Sequence, residues 1–375
     1  MAFSRTRSVL PLARRVVVKI GSSSLTGDNG LLDLAALRGL VDVLAARHGR
    51  DTQIVLVTSG AVAAGLGPLG LTARPSDIAT AQAAASVGQG ILVGRYAEAF
   101  ASHTIRVGQV LLTAEDTVRR RRYKNAQRAL TRLLDLGVIP IVNENDAVTT
   151  AELKFGDNDR LAALVSHLVG AEALVLLTDV DGLHDKSPRQ PDAQRIAYVG
   201  DLADVADVPI SAHGSTVGTG GMVTKIESVR IATGSGIPVV LTAASNIAAA
   251  LDGDDVGTFF AATAARVSPR LAWLEHSAQV RGRLILDDGA VHAICDGHAS
   301  LLPAGITAVD GDFDAGDPVE LVSTDGAVIA RGLVAFDSAD LPKLLGRHTD
   351  WLRNHFGEGY DRAVIHRDNL VLTGG

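Results

Sequence analysis

The sequence contains a single cysteine, Cys295, among 375 residues. One cysteine excludes an intrachain disulfide framework and a cysteine zinc site, and it is compatible with a reducing compartment. Aromatic residues make up only 4% of the chain and apolar residues 47%, so the core must consist mainly of Ala, Val, Leu and Ile. No run approaches the ~18 apolar residues of a membrane span, and the N-terminus lacks the apolar stretch of a signal peptide. We expect a cytoplasmic protein without membrane contact.

Positive charge is also scarce. The formal net charge is −7, which argues against a general binder of nucleic acids or membrane surfaces. Between residues 277 and 340 there are three basic and eleven acidic residues, a net charge of −8. RNA-binding domains carry the opposite sign, so we do not expect this region to bind RNA.

The first part of the chain, up to about residue 265, alternates short β-branched runs with helical patterns. Continuous apolar strands separated by helices predict an α/β fold, in which a mainly parallel central sheet lies between helices. The predicted strands are 15–21, 53–61, 104–113, 137–146, 173–182 and 236–242, and the predicted helices are 31–49, 77–101, 125–136, 158–169 and 222–233.

The pattern of predicted secondary structure changes after about residue 270. The segments "GRLILDDGAVHAI", "SLLPAGITAVDG", "GDPVELVSTDG" and "AVIARGLVAF" are predicted as short strands separated by Gly and Asp turns. They predict a small β-rich second domain. The expected boundaries are 1–265 for the α/β domain, 266–276 for a linker, 277–355 for the β-rich domain and 356–375 for a tail.

Candidate functional residues follow the predicted strands, at the edge where open α/β sheets bind ligands. Lys19 interrupts an apolar strand, and it is followed by Gly21 and Ser22–Ser24, whose N–H and hydroxyl groups suit an anion. An isolated lysine could also snorkel at a sheet edge. The adjoining glycine and serines favour a functional lysine.

Two polar clusters lie twelve residues apart, at "NEND" (143–146) and at Asp157, Asn158 and Asp159. Helix capping would explain one residue of the second cluster, but not all three. Together the clusters suggest a site for an ammonium group and a carboxylate. Ser59, in the turn Ser59–Ala61, could cap a helix, or this helix start could hold a carboxylate.

Two further segments indicate anion or nucleotide binding. Thr178, Asp179 and Asp181 end a predicted strand, where they form either an ordinary Asp-rich turn or a nucleotide contact. "GTGGMVTK" (218–225) joins a glycine-rich loop, a helix N-terminus and Lys225, which together favour an anion site over a surface loop. It is not a Walker A motif, because no Gly-Lys-Ser/Thr triplet is present.

These segments resemble the amino acid kinase family, in the family's order, over residues 15–260. The matching pieces are "VVKIGSSSLT", "VTSGAVAAG", "NENDAV", "FGDND", "LLTDVDGL" and "GTGGMVTK". The combination of "NEND", "FGDND" and "GTGGM-TK" is specific for members that phosphorylate glutamate. One departure is "PVVLTAASN" (238–246), where relatives usually have a glycine-containing turn. "SLLPAGI" (300–306) resembles a PUA domain.

The resemblance implies ATP-dependent phosphorylation of the L-glutamate side-chain carboxylate to L-glutamyl 5-phosphate, the first step of proline biosynthesis. Lys19 and Lys225 would stabilise the transferring phosphoryl group, and Asp159 would hold both lysines. The implied glutamate-binding residues are Ser59, Asp146, Asn158 and Asn143. The implied ATP-binding residues are Lys19, Thr178, Asp179, Thr219, Gly220, Gly221, Met222, Val223, Thr224 and Lys225.

ATP and Mg²⁺ are the implied cofactors, and Mg²⁺ would bridge ATP oxygens without a dedicated protein site. The resemblance also suggests a homo-oligomer, inhibition by proline and handover of the product to glutamyl phosphate reductase. Aspartate kinase or uridylate kinase activity is an alternative, against which "FGDND" and the PUA-like region argue. "RRRRY" (119–123) could be a phosphate-binding patch, but such a run is more often a solvated loop or helix start. Its position suggests a mobile loop near the glutamate site, at a subunit contact.

Overall fold

The structure is a computed structural model of two compact units, Met1–Arg266 and Val267–Gly375. It describes residues 6–27, 31–73, 75–113, 116, 120–149, 158–187, 190–206, 208, 221–262, 274, 280–297, 299–347, 351, 353, 355 and 362–373. Among these residues, no helix combines the length and hydropathy that a membrane span requires.

The first unit is built on an eight-stranded sheet. Its strands are β1 (Arg15–Ile20), β2 (Gln53–Thr58), β3 (Arg106–Leu112), β4 (Val138–Glu144), β5 (Ala173–Thr178), β6 (Tyr198–Val199), β7 (Val239–Ala243) and β8 (Thr258–Phe260). Their spatial order is β3-β4-β2-β1-β5-β7-β8-β6. Only the β7–β8 pair is antiparallel, which confirms the predicted mainly parallel sheet.

Helices connect these strands. They are α1 (Val9–Leu12), α2 (Leu34–His48), α3 (Ala61–Leu66), α4 (Ile78–Ala101), α5 (Arg120–Asp135), α6 (Asn158–Leu168), α7 (Met222–Gly234) and α8 (Ile247–Asp252). Helix α5 begins five residues before the predicted start, so Arg120, Arg121 and Arg122 of the arginine run lie at a helix start. Arginine is a good helix former, which explains the longer helix.

The sheet core consists of aliphatic side chains. Five of the six residues of β1 are buried, as are five of the six of β2, as expected for parallel strands covered on both faces. Because β4, β2, β1 and β5 are neighbours and mutually parallel, their carboxyl ends lie along one edge. The polar residues that follow these four strands are therefore brought together.

Helices α3 and α4 cross at two glycines. A Cβ atom on Gly88 would lie 1.9 Å from the carbonyl oxygen of Ala61, and one on Gly65 would lie 2.0 Å from that of Ala84. Any larger residue would force the two backbones apart. This close crossing holds the middle of α4 against the helix that follows β2.

The second unit contains a five-stranded sheet in the order β10-β9-β11-β12-β13. The strands are β9 (Gly282–Leu286), β10 (Ile306–Gly311), β11 (Pro318–Ser323), β12 (Val328–Leu333) and β13 (Leu370–Leu372). The β-rich prediction is confirmed. The last strand lies in the predicted tail, and Val364 and Ile365, also in the tail, are fully buried in the core of this unit.

One strand prediction in the second unit is wrong in its second half. Residues 288–295, within and just after "GRLILDDGAVHAI", form helix α9 (Asp288–Cys295). The Asp287 carboxylate accepts a hydrogen bond from the Ala290 N–H at 2.7 Å and caps this helix. Asp is a preferred N-cap residue. The cap favours a helix here, although the β-branched Val291 favours a strand.

Candidate active site

Three charged side chains from distant parts of the first unit meet at the sheet edge. The Nζ atom of Lys19 lies 2.5 Å from Oδ1 of Asp159, and that of Lys225 lies 2.9 Å from Oδ2. Asp159 is fully buried, and only 3% of Lys19 and 8% of Lys225 is exposed. Lys19 therefore does not snorkel to solvent; both lysines are held by one carboxylate.

Local structure explains how each charge reaches this point. Lys19 is the penultimate residue of β1, while Asp159 and Lys225 lie in the first turns of α6 and α7. The positive ends of two helix dipoles thus point towards the cluster. A salt bridge between Arg160 and Glu227 joins α6 to α7 beside it.

The environment of Asp159 favours its ionised form. Burial alone would raise the pKa of this carboxyl. The attraction and hydrogen bonds of Lys19 and Lys225 outweigh burial and hold the pKa of Asp159 well below its ordinary value. Two ammonium groups around one carboxylate leave an excess of positive charge in a site screened from water, which suits an anionic reactant.

A network of amide side chains adjoins this charged cluster. The Nδ2 atom of Asn158 lies 2.8 Å from Ser59 Oγ, 2.9 Å from Asn143 Oδ1 and 3.0 Å from the carbonyl oxygen of Thr58. The Oδ1 atom of Asn158 is buried and has no hydrogen-bond partner among the described residues. An acceptor of this kind fits a ligand N–H donor, since unpaired buried polar groups are costly.

Ser59 and Asn158 do not act as helix caps. Helix α3 has Gly60 as its N-cap residue, at φ 105° and without a side-chain cap. The hydroxyl of Ser59 instead accepts from Asn158, which is already the first residue of α6. Asp146 lies half-buried in the turn that follows β4.

The expected nucleotide-binding residues lie at the neighbouring part of the same edge. Thr178 is buried at the end of β5, and its hydroxyl donates to the exposed Asp179 at 2.9 Å. Helix α7 begins at Met222, with Gly221 as its N-cap residue, and the N-terminus of a helix suits an anion. Thr224 donates back to the Gly221 carbonyl at 2.9 Å, and the side chain of Val223 is exposed.

Some predicted positions fall outside the described residues. They are Thr219 and Gly220 of the glycine-rich loop, Asp157 of the second polar cluster, and Arg119 of the arginine run. Within the described part of the chain, no group of three or more His, Cys, Asp or Glu side chains could hold a metal ion.

The sequence interpretation missed two residues that contact the site. The Gln89 side chain of α4 accepts from Asn143 Nδ2 at 2.7 Å, and the buried hydroxyl of Tyr96 lies 3.0 Å from that of Thr58. Both residues lie in an alanine-rich helix whose pattern indicates a helix and nothing more. The available signal was the spacing of Gln82, Gln89 and Tyr96, which are seven residues apart and therefore lie on one face of the helix.

Comparisons with known proteins agree with this geometry. The family model "Amino acid kinase family" matches residues 14–243, and the PUA domain model matches residues 282–356. A glutamate 5-kinase of Thermobifida fusca (strain YX) is 56% identical over 98% of this chain and 95% of its own length. A glutamate 5-kinase of Streptomyces coelicolor is 57% identical over 98% of each chain.

A solved structure shows the same fold at much lower identity. Carbamate kinase from Giardia lamblia bound to AMP-PNP superposes with a TM-score of 0.50 at 16% identity, covering 68% of this chain and 100% of that chain. The family model spans more than half of the chain, and the two bacterial relatives match it almost from end to end. This chain therefore belongs to the amino acid kinase family.

Proposed function

We propose that the protein transfers the γ-phosphoryl group of ATP to the side-chain carboxylate of L-glutamate, giving L-glutamyl 5-phosphate and ADP in the first step of proline biosynthesis. The relatives that are 56–57% identical over nearly the whole chain are glutamate 5-kinases. The observation that carries the proposal is the buried Lys19–Asp159–Lys225 cluster beside an uncharged amide network.

The nucleophile needs no general base. A glutamate side chain has an ordinary pKa of about 4.3 and is ionised at neutral pH. One of its oxygens attacks the γ-phosphorus while the bond to the bridging oxygen of ADP breaks. Since both reactants are anions, the protein must supply positive charge and alignment rather than proton transfer.

Lys19 and Lys225 supply that charge. Each ammonium group has three N–H donors, and in this proposal both groups donate to the phosphoryl oxygens while Asp159 holds them in place. Asp159 serves as the positioning carboxylate. Its low pKa and its two cationic partners make it a poor proton acceptor, so it fixes the lysines instead.

The amino-acid end of glutamate binds in the amide network. Ser59, Asn143 and Asn158 are already connected by hydrogen bonds. Asn158 Oδ1 is an available acceptor for the substrate ammonium group, and Asp146 supplies the opposite charge in this proposal. The substrate's side-chain carboxylate then points towards the lysine cluster.

ATP binds with its phosphates at the start of α7. In this proposal Thr219, Gly220, Gly221, Met222, Val223 and Thr224 bind the phosphates together with the Lys225 ammonium group, while Thr178 and Asp179 contact the nucleotide. Mg²⁺ is held mainly by phosphate oxygens and water, a mode that Mg²⁺ commonly adopts.

The remaining parts of the proposal rest on the family resemblance. The protein works as a homo-oligomer in the cytoplasm and passes its reactive acyl phosphate to glutamyl phosphate reductase. Proline inhibits it. Proline shares the α-carboxylate and a cationic nitrogen with glutamate, so Asp146 and the amide network suit both molecules.

A substrate panel tests the proposed function. Initial rates of ADP release are measured with L-glutamate, L-aspartate and UMP, each with MgATP. We expect kcat/KM to be highest for glutamate, because the shorter aspartate cannot reach both the amide network and the lysines. A preference for aspartate or UMP would refute the assignment. The rate without any acceptor serves as the blank.

A further inference from the structure

The side chain of Gln89 contacts the amide network, and one end of it is unpaired. Gln89 lies on α4, is 8% exposed, and accepts from Asn143 Nδ2 at 2.7 Å through its Oε1 atom. Its Nε2 atom is fully buried and makes no hydrogen bond within the part of the chain that the structure describes. A buried amide donor without a partner is costly and points to a ligand.

The orientation of this amide follows from the backbone. The N–H of Glu144 donates to Asn143 Oδ1 at 2.9 Å, and a backbone N–H can only donate. This contact fixes which end of the Asn143 amide is oxygen, so its Nδ2 end must donate to Gln89. Gln89 therefore has to present Oε1 to Asn143, and Nε2 is left as a donor.

The position of Gln89 places this donor near the amino-acid end of the substrate. Gln82, two turns earlier on α4, donates to the Thr149 carbonyl at 3.3 Å. The two glutamines thus contact both ends of segment 143–149, which contains Asp146. The crossing of α4 and α3 at Gly88, next to Gln89, holds this part of α4 in place.

We propose that Gln89 is a specificity-determining residue, whose Nε2 donates a hydrogen bond to the α-carboxylate of the bound amino acid. The inference rests on the proposed function. The hydrogen bonds run from Asn158, next to Asp159, through Asn143 to Gln89. Gln89 is thus two hydrogen bonds away from the residue that adjoins the lysine-binding Asp159, so we assign to it the carboxylate that does not react.

The isosteric variant Gln89→Glu separates this role from a structural one. It keeps an acceptor oxygen for Asn143 and replaces only the Nε2 donor by an oxygen. The assay compares L-glutamate with its α-amide, L-isoglutamine, which retains the ammonium group and the reacting carboxylate. Both substrates are compared at about pH 7, because the ammonium group of the α-amide has an ordinary pKa of about 7.7–8.0. Glutamate is also assayed at about pH 9, where the introduced carboxyl is ionised even if burial raises its pKa.

We expect the wild-type protein to prefer glutamate over the α-amide. In Gln89→Glu, kcat/KM for glutamate falls about 100-fold or more while that for the α-amide falls much less, since a charge-assisted hydrogen bond becomes a like-charge contact. In Gln89→Met, which carries no charge, the preference for glutamate shrinks by about tenfold. The melting temperature of each variant shows whether it is folded.

Other results would overturn the inference. Equal losses for both substrates in both variants would show that Gln89 only positions Asn143. Unchanged glutamate kinetics in Gln89→Glu would show that Nε2 touches no carboxylate. If Gln89→Glu does not fold, Gln89→Met tests the inference through the ratio of kcat/KM for glutamate to kcat/KM for the α-amide. An unchanged ratio in Gln89→Met would then overturn the inference. If the wild-type protein is inactive on glutamate, the proposed function itself is refuted. If it is active and the variants still discriminate between glutamate and the α-amide as the wild type does, only the role of Gln89 is refuted.

Discussion

Lys225 Nζ lies 2.9 Å from Asp159 Oδ2, although 66 residues separate them in the chain. The other oxygen of the same carboxylate is contacted by Lys19 at 2.5 Å. One buried carboxylate thereby fixes two ammonium groups that come from a strand and a helix. This arrangement is prepared before the reaction, as electrostatic stabilisation of a transferring phosphoryl group requires.

Replacing either lysine should affect turnover more than substrate affinity. We expect Lys225→Ala and Lys19→Ala to lower kcat by about 100- to 1,000-fold, as losing a preorganised donor does, with a smaller change in the glutamate KM. Steady-state kinetics measure both constants. Lys343→Ala, which removes an exposed lysine paired with Asp340, is the control. A near-normal kcat in Lys225→Ala would remove this residue from the reaction.

Asp159 should contribute stability that depends on pH. Its folded-state pKa lies below the ordinary value, so the carboxylate stabilises the fold above about pH 3.9. That stability is lost as the pH falls through the lower, folded-state pKa. We expect Asp159→Asn to reduce the free energy of unfolding at pH 7 by about 3–5 kcal/mol, the cost of breaking a buried ion pair.

Urea unfolding at a series of pH values checks this prediction. The difference in unfolding free energy between wild type and Asp159→Asn should narrow as the pH falls below about 3.9. A difference that is constant down to the lowest pH at which the protein folds would show that the ionised carboxylate is not the source of the stability.

Asp146 should determine affinity for the amino acid and not for the nucleotide. Loss of a charge-assisted hydrogen bond costs roughly 1.5–3 kcal/mol, so Asp146→Ala should raise the glutamate KM at least about tenfold. The ATP KM should change little, and inhibition by proline should weaken in parallel. Asp252→Ala, at an exposed aspartate paired with Arg50, is the control. If the ATP KM changes more than the glutamate KM, Asp146 belongs to the nucleotide site and not to the amino-acid site.

The α3–α4 crossing should not tolerate a methyl group. In Gly88→Ala the new Cβ would meet the Ala61 carbonyl oxygen at 1.9 Å, which forces the helices apart and should destabilise the protein by about 1–3 kcal/mol. Gly90→Ala is a matched control on the same helix, because nothing lies within 4 Å of its Cβ position. It should be neutral or stabilise by up to about 1 kcal/mol. Thermal unfolding compares the two, and equal stabilities would contradict the close approach of the two helices at Gly88.

Periodicity and local motifs predicted much of this fold. Strands β1, β2, β4, β5 and β7 were evident as apolar runs, and Lys19 could be recognised as a charged residue within the first of them. Strands β6 and β8 have only two and three residues, too short for any pattern. Helix α9 was misjudged, although Asp287 carried a capping signal.

The site was predicted only where the chemistry is local in sequence. Asn143, Asn158 and Asp159 lie in short polar clusters, so they could be recognised. Gln89 could not, because its contact with Asn143 exists only through the packing of α4, which the glycine crossing determines. The seven-residue spacing of Gln82, Gln89 and Tyr96 places them on one helix face, but it does not show that this face contacts Asn143.

The central claim is that the substrate's own carboxylate attacks the phosphorus, and an isotope measurement tests it most directly. Glutamate labelled with ¹⁸O in its side-chain carboxylate is incubated with MgATP and hydroxylamine, which attacks the acyl carbon of the product and releases phosphate. Mass spectrometry then reads the label in that phosphate. We predict one ¹⁸O atom in each phosphate released, since the bridging oxygen comes from the substrate. Unlabelled phosphate accumulating together with ADP would show that water is the nucleophile and would contradict the mechanism.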